Sequence, residues 1–233
     1  MLTYYLGDIH GRTLWKPLWA SLPPNARLVI LGDYFDSRDA IIPARQMANF
    51  EELLALRRQQ PQRLTLLLGN HDYHYFSFAS ESYSGYQAGA ASAIGLLLQQ
   101  ALQTADVQVA HAADGILATH AGVTQTWLME WGGQPDDVAT YLQELFTHKP
   151  HAFAFSPGPQ ADAYGNEPEQ GPFWVRPQAL ANHAIPGWVQ VVGHTQMQRV
   201  TQLNGHYFID TLGHGKEYLI AQHGSITVHP LPE

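Results

Sequence analysis

Residues 2–11 read LTYYLGDIHG, a short apolar run that stops at a glycine and is followed by Asp8 and His10. The same pattern returns at residues 28–36, LVILGDYFD, and at residues 64–72, LTLLLGNHD. Buried strands of a parallel sheet have this pattern, because they are apolar along their length and lead into a loop at their carboxyl ends. The chain is therefore expected to begin with parallel strands that present polar side chains at one edge of a sheet.

Two further strands are expected at residues 116–119, before His120, and at residues 189–192, before His194. Helix-like segments separate the strands at residues 13–21, 45–60 and 86–102. The last part of the chain is β-rich and divided by glycines, with segments at residues 205–210, 217–222 and 225–231. This alternation predicts an α/β fold.

Residues 149–187 differ from both patterns because they are rich in proline and glycine. Proline has no backbone donor and cannot continue a helix, so an excursion over the surface is expected here. A loop of such length in a compact domain is usually functional or mobile. A chain of 233 residues fits one α/β domain, and we expect a single domain over residues 1–233.

The composition excludes several classes of function. The chain has no cysteine, which rules out disulfides, thiolate zinc sites, iron–sulfur clusters and a cysteine nucleophile. Lys and Arg number 12 against 20 Asp and Glu, and no basic run offers a footprint for DNA or RNA. The 13 histidines outnumber the basic residues and favour metal binding or acid–base chemistry.

No targeting or membrane segment is predicted. The first residues lack a basic segment, and no apolar run approaches the roughly 18 residues that a membrane span requires. A cytoplasmic protein that is not bound to membranes is the resulting expectation. The sequence leaves the oligomeric state open.

The predicted strands lead into loops that carry Asp, Asn or His. In open α/β sheets such loops meet in one crevice, and neighbouring glycines let the backbone turn sharply there. Any one of these loops is more often a simple turn or helix cap. Five loops that each deliver an oxygen or nitrogen atom are better explained by a metal site.

Five motifs, GDIHG, GDYFD, GNHD, THAG and GHT, occur in this order at residues 7–11, 32–36, 69–72, 119–122 and 193–195. Together they resemble the calcineurin-like metallophosphoesterases, and within them the phosphoprotein-phosphatase branch with its bacterial serine/threonine phosphatases and diadenosine tetraphosphatases. Residues 173–176, FWVR, and 209–211, IDT, are similar to segments of bacterial members. The resemblance covers residues 8–211 and implies a four-layer α-β-β-α sandwich with two mixed β-sheets.

The resemblance also implies a centre of two divalent metal ions. Its ligands would be Asp8 and His10 for the first ion, Asp33 as a bridge, and Asn70, His120 and His194 for the second ion. Two ions about 3.5–4 Å apart can share a water, lower its pKa and align a hydroxide for in-line attack on phosphorus. Mixed carboxylate, amide and imidazole ligands suit manganese, with iron, zinc or nickel as alternatives, better than calcium.

Four further residues are candidates for work on the substrate. His71 is the candidate general acid, because the leaving oxygen needs a donor of near-neutral pKa beside the metals, and Asp36 would orient its ring. Arg176 is the candidate phosphate clamp, because one guanidinium can bind two phosphoryl oxygens. The family usually reads GDxxDRG, whereas Ser37 precedes Arg38 here, so Arg38 is a second phosphate-binding candidate displaced by one position.

Two features lie beside the third motif. Asp72 stands where the phosphatase branch usually has glutamate, so a shorter carboxylate supports the site. The aromatic residues within 73–78 are expected to pack beneath the site rather than stack on substrate. Histidines outside the motifs, including His74, are expected to be mostly solvated.

The expected function is metal-dependent hydrolysis of phosphate monoesters, on a phosphoprotein or a small phosphorylated molecule, by a metal-bridging hydroxide. Hydrolysis of dinucleoside polyphosphates is the alternative within the same chemistry. A non-catalytic protein-binding scaffold would be marked by lost ligands, yet all six positions are filled. A passive metal-binding protein would not need His71, Asp36 and Arg176 around the ions.

Overall fold

A computed structural model describes residues 1–156 and 158–232. Its strands, in chain order, are β1 (Thr3–Leu6), β2 (Arg27–Ile30), β3 (Leu64–Leu66), β4 (Ala110–Ala113), β5 (Ile116–Thr119), β6 (Val189–Val192), β7 (Thr201–Leu203), β8 (His206–Phe208), β9 (Glu217–Gln222) and β10 (Ser225–Pro230). Its helices are α1 (Trp15–Ser21), α2 (Pro43–Gln59), α3 (Asn70–Tyr73), α4 (Ala91–Gln103), α5 (Gln125–Glu130), α6 (Val138–His148) and α7 (Pro177–His183). Short 3-10 turns occupy Pro135–Asp137 and Pro150–Phe153.

The strands form two mixed five-stranded sheets, in the orders β10-β9-β1-β2-β3 and β4-β5-β6-β8-β7. In the first sheet β1, β2 and β3 are parallel, and β9 and β10 add an antiparallel edge. In the second sheet β5, β6 and β8 are parallel, with antiparallel β4 and β7 at the edges. The parallel strands are those whose carboxyl ends carry the motifs, so the predicted strand ends lie at corresponding edges.

The alternation of side chains along each strand creates the layers. Tyr5 and Val29 of the first sheet pack with Ile116 and Val191 of the second, which places an apolar layer between the sheets. Successive strand residues point to opposite faces, so the neighbour Leu6 belongs to the cluster that contains the outer helices α1 and α2. Burial of both faces explains why these strands are almost entirely apolar.

Helix α7 covers part of the outer face of the second sheet, where Leu180 packs with Val192 and Phe208. The resulting order of helices, sheet, sheet and helix is the predicted four-layer sandwich. Within the described residues, no helix combines the length and apolar character needed to cross a membrane.

The helix boundaries differ from expectation where the chain contacts the site. Helix α2 begins at Pro43, a residue whose fixed φ suits the first helical turn. Helix α4 begins at Ala91, so the expected start at residue 86 is wrong. Residues 83–87 are instead a loop, in which Gln87 bonds to side chains near the third motif. Strands β4 and β7 and helices α3, α5, α6 and α7 were not predicted.

The proline-rich segment at residues 149–187 contains a 3-10 turn at Pro150–Phe153 and ends in α7, so it is not one long helix. Residue 157, one of its prolines, lies outside the described residues. The segment returns to the core at Phe173 and Trp174, which are buried, and this return brings Arg176 to the site.

Candidate metal and phosphate site

The loops at the strand ends bend sharply at the side chains that carry the chemistry. His10, Asp33, Asp36 and His194 have φ values of 44°, 52°, 59° and 64°. This left-handed region is sparsely populated by residues other than glycine, and it persists only where the surrounding structure enforces it. The four residues thus share a local strain that marks the loops as specialised.

Asp33 lies at the centre of the cluster and is almost completely buried. Its Oδ1 accepts the His71 backbone N–H at 2.9 Å, and its Oδ2 lies 3.6 Å from His10 Nε2 and 3.5 Å from His120 Nε2. Burial raises the pKa of Asp33, but the neighbouring His120, His71 and His10 outweigh it and leave the pKa below its ordinary value. Asp33 is therefore a stable carboxylate between imidazoles from both sheets.

Asp8 lies beside this centre. Its Oδ2 accepts the His194 backbone N–H at 2.9 Å, whereas its buried Oδ1 has no hydrogen-bond partner among the described residues. Burial, followed by the charges of Asp210 and Asp33, raises the pKa of Asp8 well above its ordinary value. A buried carboxylate oxygen without a donor, surrounded by other acids, is an arrangement that a cation would stabilise.

Hydrogen bonds fix the imidazole lone pairs. His10 Nδ1 donates to the Phe35 carbonyl and His120 Nδ1 donates to the Leu31 carbonyl, each at 2.8 Å. A carbonyl oxygen can only accept, so the Nε2 atoms of both rings carry the lone pairs and face the centre. Burial lowers the pKa of His10 and His120. Both rings therefore present the neutral form that binds metals.

Asn70 lies between two of the motif histidines, His120 and His194. Its Oδ1 lies 2.8 Å from His120 Nε2 and 2.9 Å from His194 Nδ1. Burial is the main cause that lowers the pKa of His194 well below its ordinary value, so this ring is also neutral. One amide oxygen and two imidazole nitrogens thus converge beside Asp33.

Glycine and Asp72 allow this close approach. A Cβ at Gly69 would overlap Asp33 Oδ1, and a Cβ at Gly193 would overlap Asp8 Oδ1. Asp72 accepts the backbone N–H groups of Gly69, Asp33 and Tyr34 at 2.9, 2.8 and 2.9 Å. The shorter carboxylate at position 72 therefore clamps the second and third motif loops together through their backbones.

The donor set fits divalent metal ions. Two groups of side chains bring ligand atoms within 4.8 Å of one another, and they are Asp8, Asp33 and His120, and Asp36, His71 and His74. In the second group both Asp36 oxygens accept hydrogen bonds and His74 Nε2 is the buried atom that lacks one, whereas in the first group a buried carboxylate oxygen, Asp8 Oδ1, has no donor among the described residues. The first group, extended by Asn70 and the other motif histidines, is the candidate metal centre.

His71 and Asp36 form a hydrogen-bonded pair beside this centre. His71 Nδ1 donates to Asp36 Oδ2 at 2.9 Å, and the His71 ring lies against the His10 ring with centroids 5.2 Å apart. Burial lowers the pKa of His71, but the charges of Asp33 and Asp36 outweigh it and raise the pKa above its ordinary value. A histidine that holds its proton near neutral pH can act as an acid.

A cavity of about 220 Å³ opens over the cluster. Its lining includes His10, Asp33, Asn70, His71 and His194, together with Arg38 and Arg176. Asp8, Asp36 and His120 lie behind these residues as fully or nearly fully buried side chains. All ten predicted site residues are therefore brought into one region.

The two candidate phosphate clamps differ in how they are held. Arg176 donates from Nε to the Tyr164 carbonyl at 2.7 Å and from Nη1 to Thr195 Oγ1 at 3.1 Å. Arg38 is exposed. Burial and then the charge of Arg38 lower the pKa of Arg176, and both arginines line the same cavity.

Several residues of the site were not predicted from sequence. Arg12, Tyr83 and Gln196 line the cavity. His74 is buried, so the expectation of a solvated histidine is wrong for it. His71 and His74 are three residues apart around the short helix α3, a spacing that places both on one face and was the available signal.

Asp210 also lines the cavity, within the segment that resembles the bacterial phosphatases. Burial and then the charge of Asp33 raise its pKa to about 6. The aromatic residues after the third motif pack as predicted, since Tyr73, Tyr75 and Phe76 are buried and Phe78 is partly buried against the same core.

A family model described as calcineurin-like phosphoesterase matches residues 1–197. Among solved structures, a cold-active protein tyrosine phosphatase has a TM-score of 0.60 at 18% identity, over 97% of this chain and 78% of that chain. A protein serine/threonine phosphatase from Saccharomyces cerevisiae, with similarity to human phosphatase PP5, has a TM-score of 0.56 at 13% identity, over 100% and 81%. No curated protein sequence gives a significant match. At these identities the two structures establish a shared fold.

Proposed function

Since the chain belongs to the calcineurin-like phosphoesterase family, we propose that its strand-end site hydrolyses phosphate monoesters at two divalent metal ions. Family membership implies metal-dependent hydrolysis of phosphoesters. The number of ions and the monoester substrate are the proposal. The observation that carries it is the position of Asp33, whose Oδ2 lies 3.6 Å from His10 Nε2 and 3.5 Å from His120 Nε2.

The proposed ligands divide around Asp33. Asp8 and His10 would hold one ion, and Asn70, His120 and His194 would hold the other. Manganese is the expected metal, with iron, zinc or nickel as alternatives. The unpartnered Asp8 Oδ1 and the neutral imidazoles support this assignment, because ligands must offer free lone pairs.

When bound, the ions would supply a nucleophile from water and stabilise charge on the phosphoryl oxygens. The remaining tasks fall to the chain itself. Arg176 and Arg38 would bind phosphoryl oxygens and orient the ester for in-line displacement. His71 Nδ1 is committed to Asp36, so Nε2 is the atom that would donate a proton to the leaving oxygen.

A second candidate is hydrolysis of dinucleoside polyphosphates. Arg12 favours it, because a third guanidinium lines the cavity and a phosphate chain carries more negative charge than a single phosphoryl group. Arg12 Nε is already paired with Asp39 at 2.6 Å, which reduces the charge that it offers to a substrate. The monoester is therefore the preferred substrate class.

The test is a substrate panel with protein stripped by EDTA and reloaded with Mn²⁺. We expect two metal equivalents per chain and activity on p-nitrophenyl phosphate and a phosphopeptide that exceeds activity on bis-p-nitrophenyl phosphate and diadenosine tetraphosphate. Ca²⁺ should restore less activity than Mn²⁺. Full activity in EDTA would overturn the metal-dependent mechanism, and preference for diadenosine tetraphosphate would replace the monoester with the second candidate.

A further inference from the structure

His74 is a buried side chain that the proposed mechanism does not use. Its Nε2 lies 2.7 Å from Asp36 Oδ2, the oxygen that also accepts a hydrogen bond from His71 Nδ1 at 2.9 Å. Its Nδ1 accepts the Tyr83 backbone N–H at 3.0 Å. One imidazole therefore contacts both the candidate general-acid pair and a residue of the cavity wall.

The contact with Tyr83 determines where the proton of His74 resides. A backbone N–H can only donate, so Nδ1 of His74 carries a lone pair and the ring proton is on Nε2. His74 Nε2 makes a close polar contact with Asp36 Oδ2 but is not aligned for a hydrogen bond, so it lies as a partial positive charge beside the oxygen that accepts the His71 hydrogen bond. The contact with His74, together with the hydrogen bond from Gln87 to the other oxygen, holds Asp36 in one orientation, and Asp36 in turn holds the His71 ring.

The opposite side of His74 faces the wall of the cavity. The Tyr83 ring stacks on the His74 ring at 5.6 Å and 9°, and it meets the Trp174 ring at 4.3 Å. Tyr83 and Trp174 both line the cavity. The same loop returns to the carboxylate, because Gln87 Nε2 donates to Asp36 Oδ1 at 3.0 Å. The wall and the general-acid pair are thus connected through His74 and Asp36.

We propose that His74 is a positioning residue, which holds the Asp36–His71 pair in its proton-donating arrangement and connects that pair to the cavity wall at Tyr83. The proposal rests on the proposed function, because it requires His71 to protonate a leaving group. His71 and Tyr83 line the same cavity, so the wall that His74 contacts belongs to the pocket that holds the candidate proton donor.

Two replacements separate the two contacts of His74. His74→Asn keeps an oxygen close to the position of Nδ1, where it can accept the Tyr83 N–H, but its side chain is too short to reach Asp36. His74→Gln can reach Asp36 with an amide N–H but offers no acceptor at the Nδ1 position. The first variant therefore removes the support of His71, and the second removes the support of Tyr83.

The kinetic expectations follow for the Mn²⁺-loaded enzyme. His74→Asn should lower kcat about 10- to 100-fold for an alkyl phosphate, the usual effect of losing an indirect support. The loss should be less than about threefold for p-nitrophenyl phosphate, whose leaving group needs little protonation. His74→Gln should raise KM for phosphates with a bulky organic group and leave kcat within about threefold of the parent. Metal content should not change in either variant.

A double-mutant cycle tests whether His74 acts through His71. In a His71→Asn background, His74→Asn should cost less than about twofold, because its target is already absent. His206 provides a matched control, since it is also buried and its Nδ1 accepts the Gln190 backbone N–H at 3.1 Å in the second sheet. His206→Asn should reduce thermal stability while leaving the dependence on the leaving group unchanged.

Equal losses for alkyl and p-nitrophenyl phosphate would overturn the positioning role of His74. Additive losses in the cycle, or the same kinetic pattern in His206→Asn, would do so as well. In these cases the parent would still be a phosphatase. A parent enzyme that hydrolyses no phosphoester with any divalent metal would overturn the proposed function instead, and this inference with it.

Discussion

Loops of the first sheet carry both carboxylates of the candidate metal centre, Asp8 and Asp33, whereas loops of the second sheet supply only the imidazoles of His120 and His194. The two halves also differ in how they are held. Asp72 clamps the first-sheet loops to one another through backbone N–H groups. The second-sheet ligands instead depend on partners across the interface.

Those partners can be named. His120 Nδ1 donates to the Leu31 carbonyl of the first sheet, and the His194 backbone donates to Asp8. The charged half is thus organised locally, and the neutral half is organised by the packing of one sheet against the other. Substitutions in the first-sheet ligands, at the residue that both sheets contact, or outside the site can test this difference between the two sheets.

The largest effect is expected at Asp33, the first-sheet carboxylate that lies beside imidazoles of both sheets. Asp33→Asn should reduce activity by more than about 10⁴-fold and release metal, because each of the two proposed metal sites needs the shared carboxylate as a ligand. Metal analysis and turnover of p-nitrophenyl phosphate would check this. Two ions still bound with normal turnover would contradict the assignment of Asp33 as the bridge.

A smaller effect on activity is expected when both metal ions are retained but the candidate general acid, His71, is removed. His71→Asn should retain both ions and lose about 10²- to 10⁴-fold in rate on an alkyl or serine phosphate, the range that general acid catalysis supplies. The loss should shrink for p-nitrophenyl phosphate. Asp36→Asn should give a milder form of the same pattern, because only the orientation of the ring is disturbed. A loss that is uniform across leaving groups would mean that the acid lies elsewhere.

The two candidate phosphate clamps also come from different parts of the molecule, because Arg38 belongs to a first-sheet loop and Arg176 to the segment before α7. Arg176→Gln should lower kcat/KM about 10- to 100-fold, since this guanidinium is fixed by two hydrogen bonds and can hold phosphoryl oxygens bidentately. Arg38→Gln should lower kcat/KM by a smaller factor, because Arg38 is exposed and loses more conformational freedom when it binds phosphate, which offsets part of the interaction. Steady-state measurement of kcat/KM for both variants would test this order. A larger loss of kcat/KM for Arg38→Gln than for Arg176→Gln would contradict it.

The smallest effect should appear outside the candidate metal centre, at His111 in β4 on the edge of the second sheet. Burial and then the charge of Arg27 lower the pKa of His111 from 6.5 to about 4. The folded state therefore binds fewer protons than the unfolded state in this range, so stability is fully present above pH 6.5 and is lost as pH falls toward 4. The loss is at most about 3 kcal/mol.

His111→Gln should flatten this acid dependence without a change in activity at neutral pH. Urea unfolding at pH 7.5 and pH 5 would measure it, with the exposed His148→Gln as control. Equal pH dependence in the parent and both variants would show that His111 does not titrate in this way.

The sequence was sufficient to predict the features that depend on neighbouring residues along the chain. Apolar runs that end in Gly-Asp or Gly-Asn marked β1, β2 and β3, because a strand buried on both faces has few alternatives to apolar residues. The motifs and the family resemblance that they carry pointed to ten residues that the structure brings into one region, although they did not point to Arg12, Tyr83 or Gln196. Composition alone removed cysteine chemistry and disfavoured nucleic acids.

Tertiary structure decided what depends on docking. The meeting of His120 with Leu31 is a contact over 89 residues, and no local pattern encodes the packing that creates it. The burial of His74 required the loop at residues 83–87, of which residues 86 and 87 were expected to be helical, because the Tyr83 N–H bonds to His74 and the Gln87 N–H to Tyr75 there. Left-handed φ values at Asp33 and His194 likewise arise from long-range constraint, since local preference opposes them. Sequence thus determined which side chains stand at the strand ends, and the packing of two sheets determined that those ends share one site.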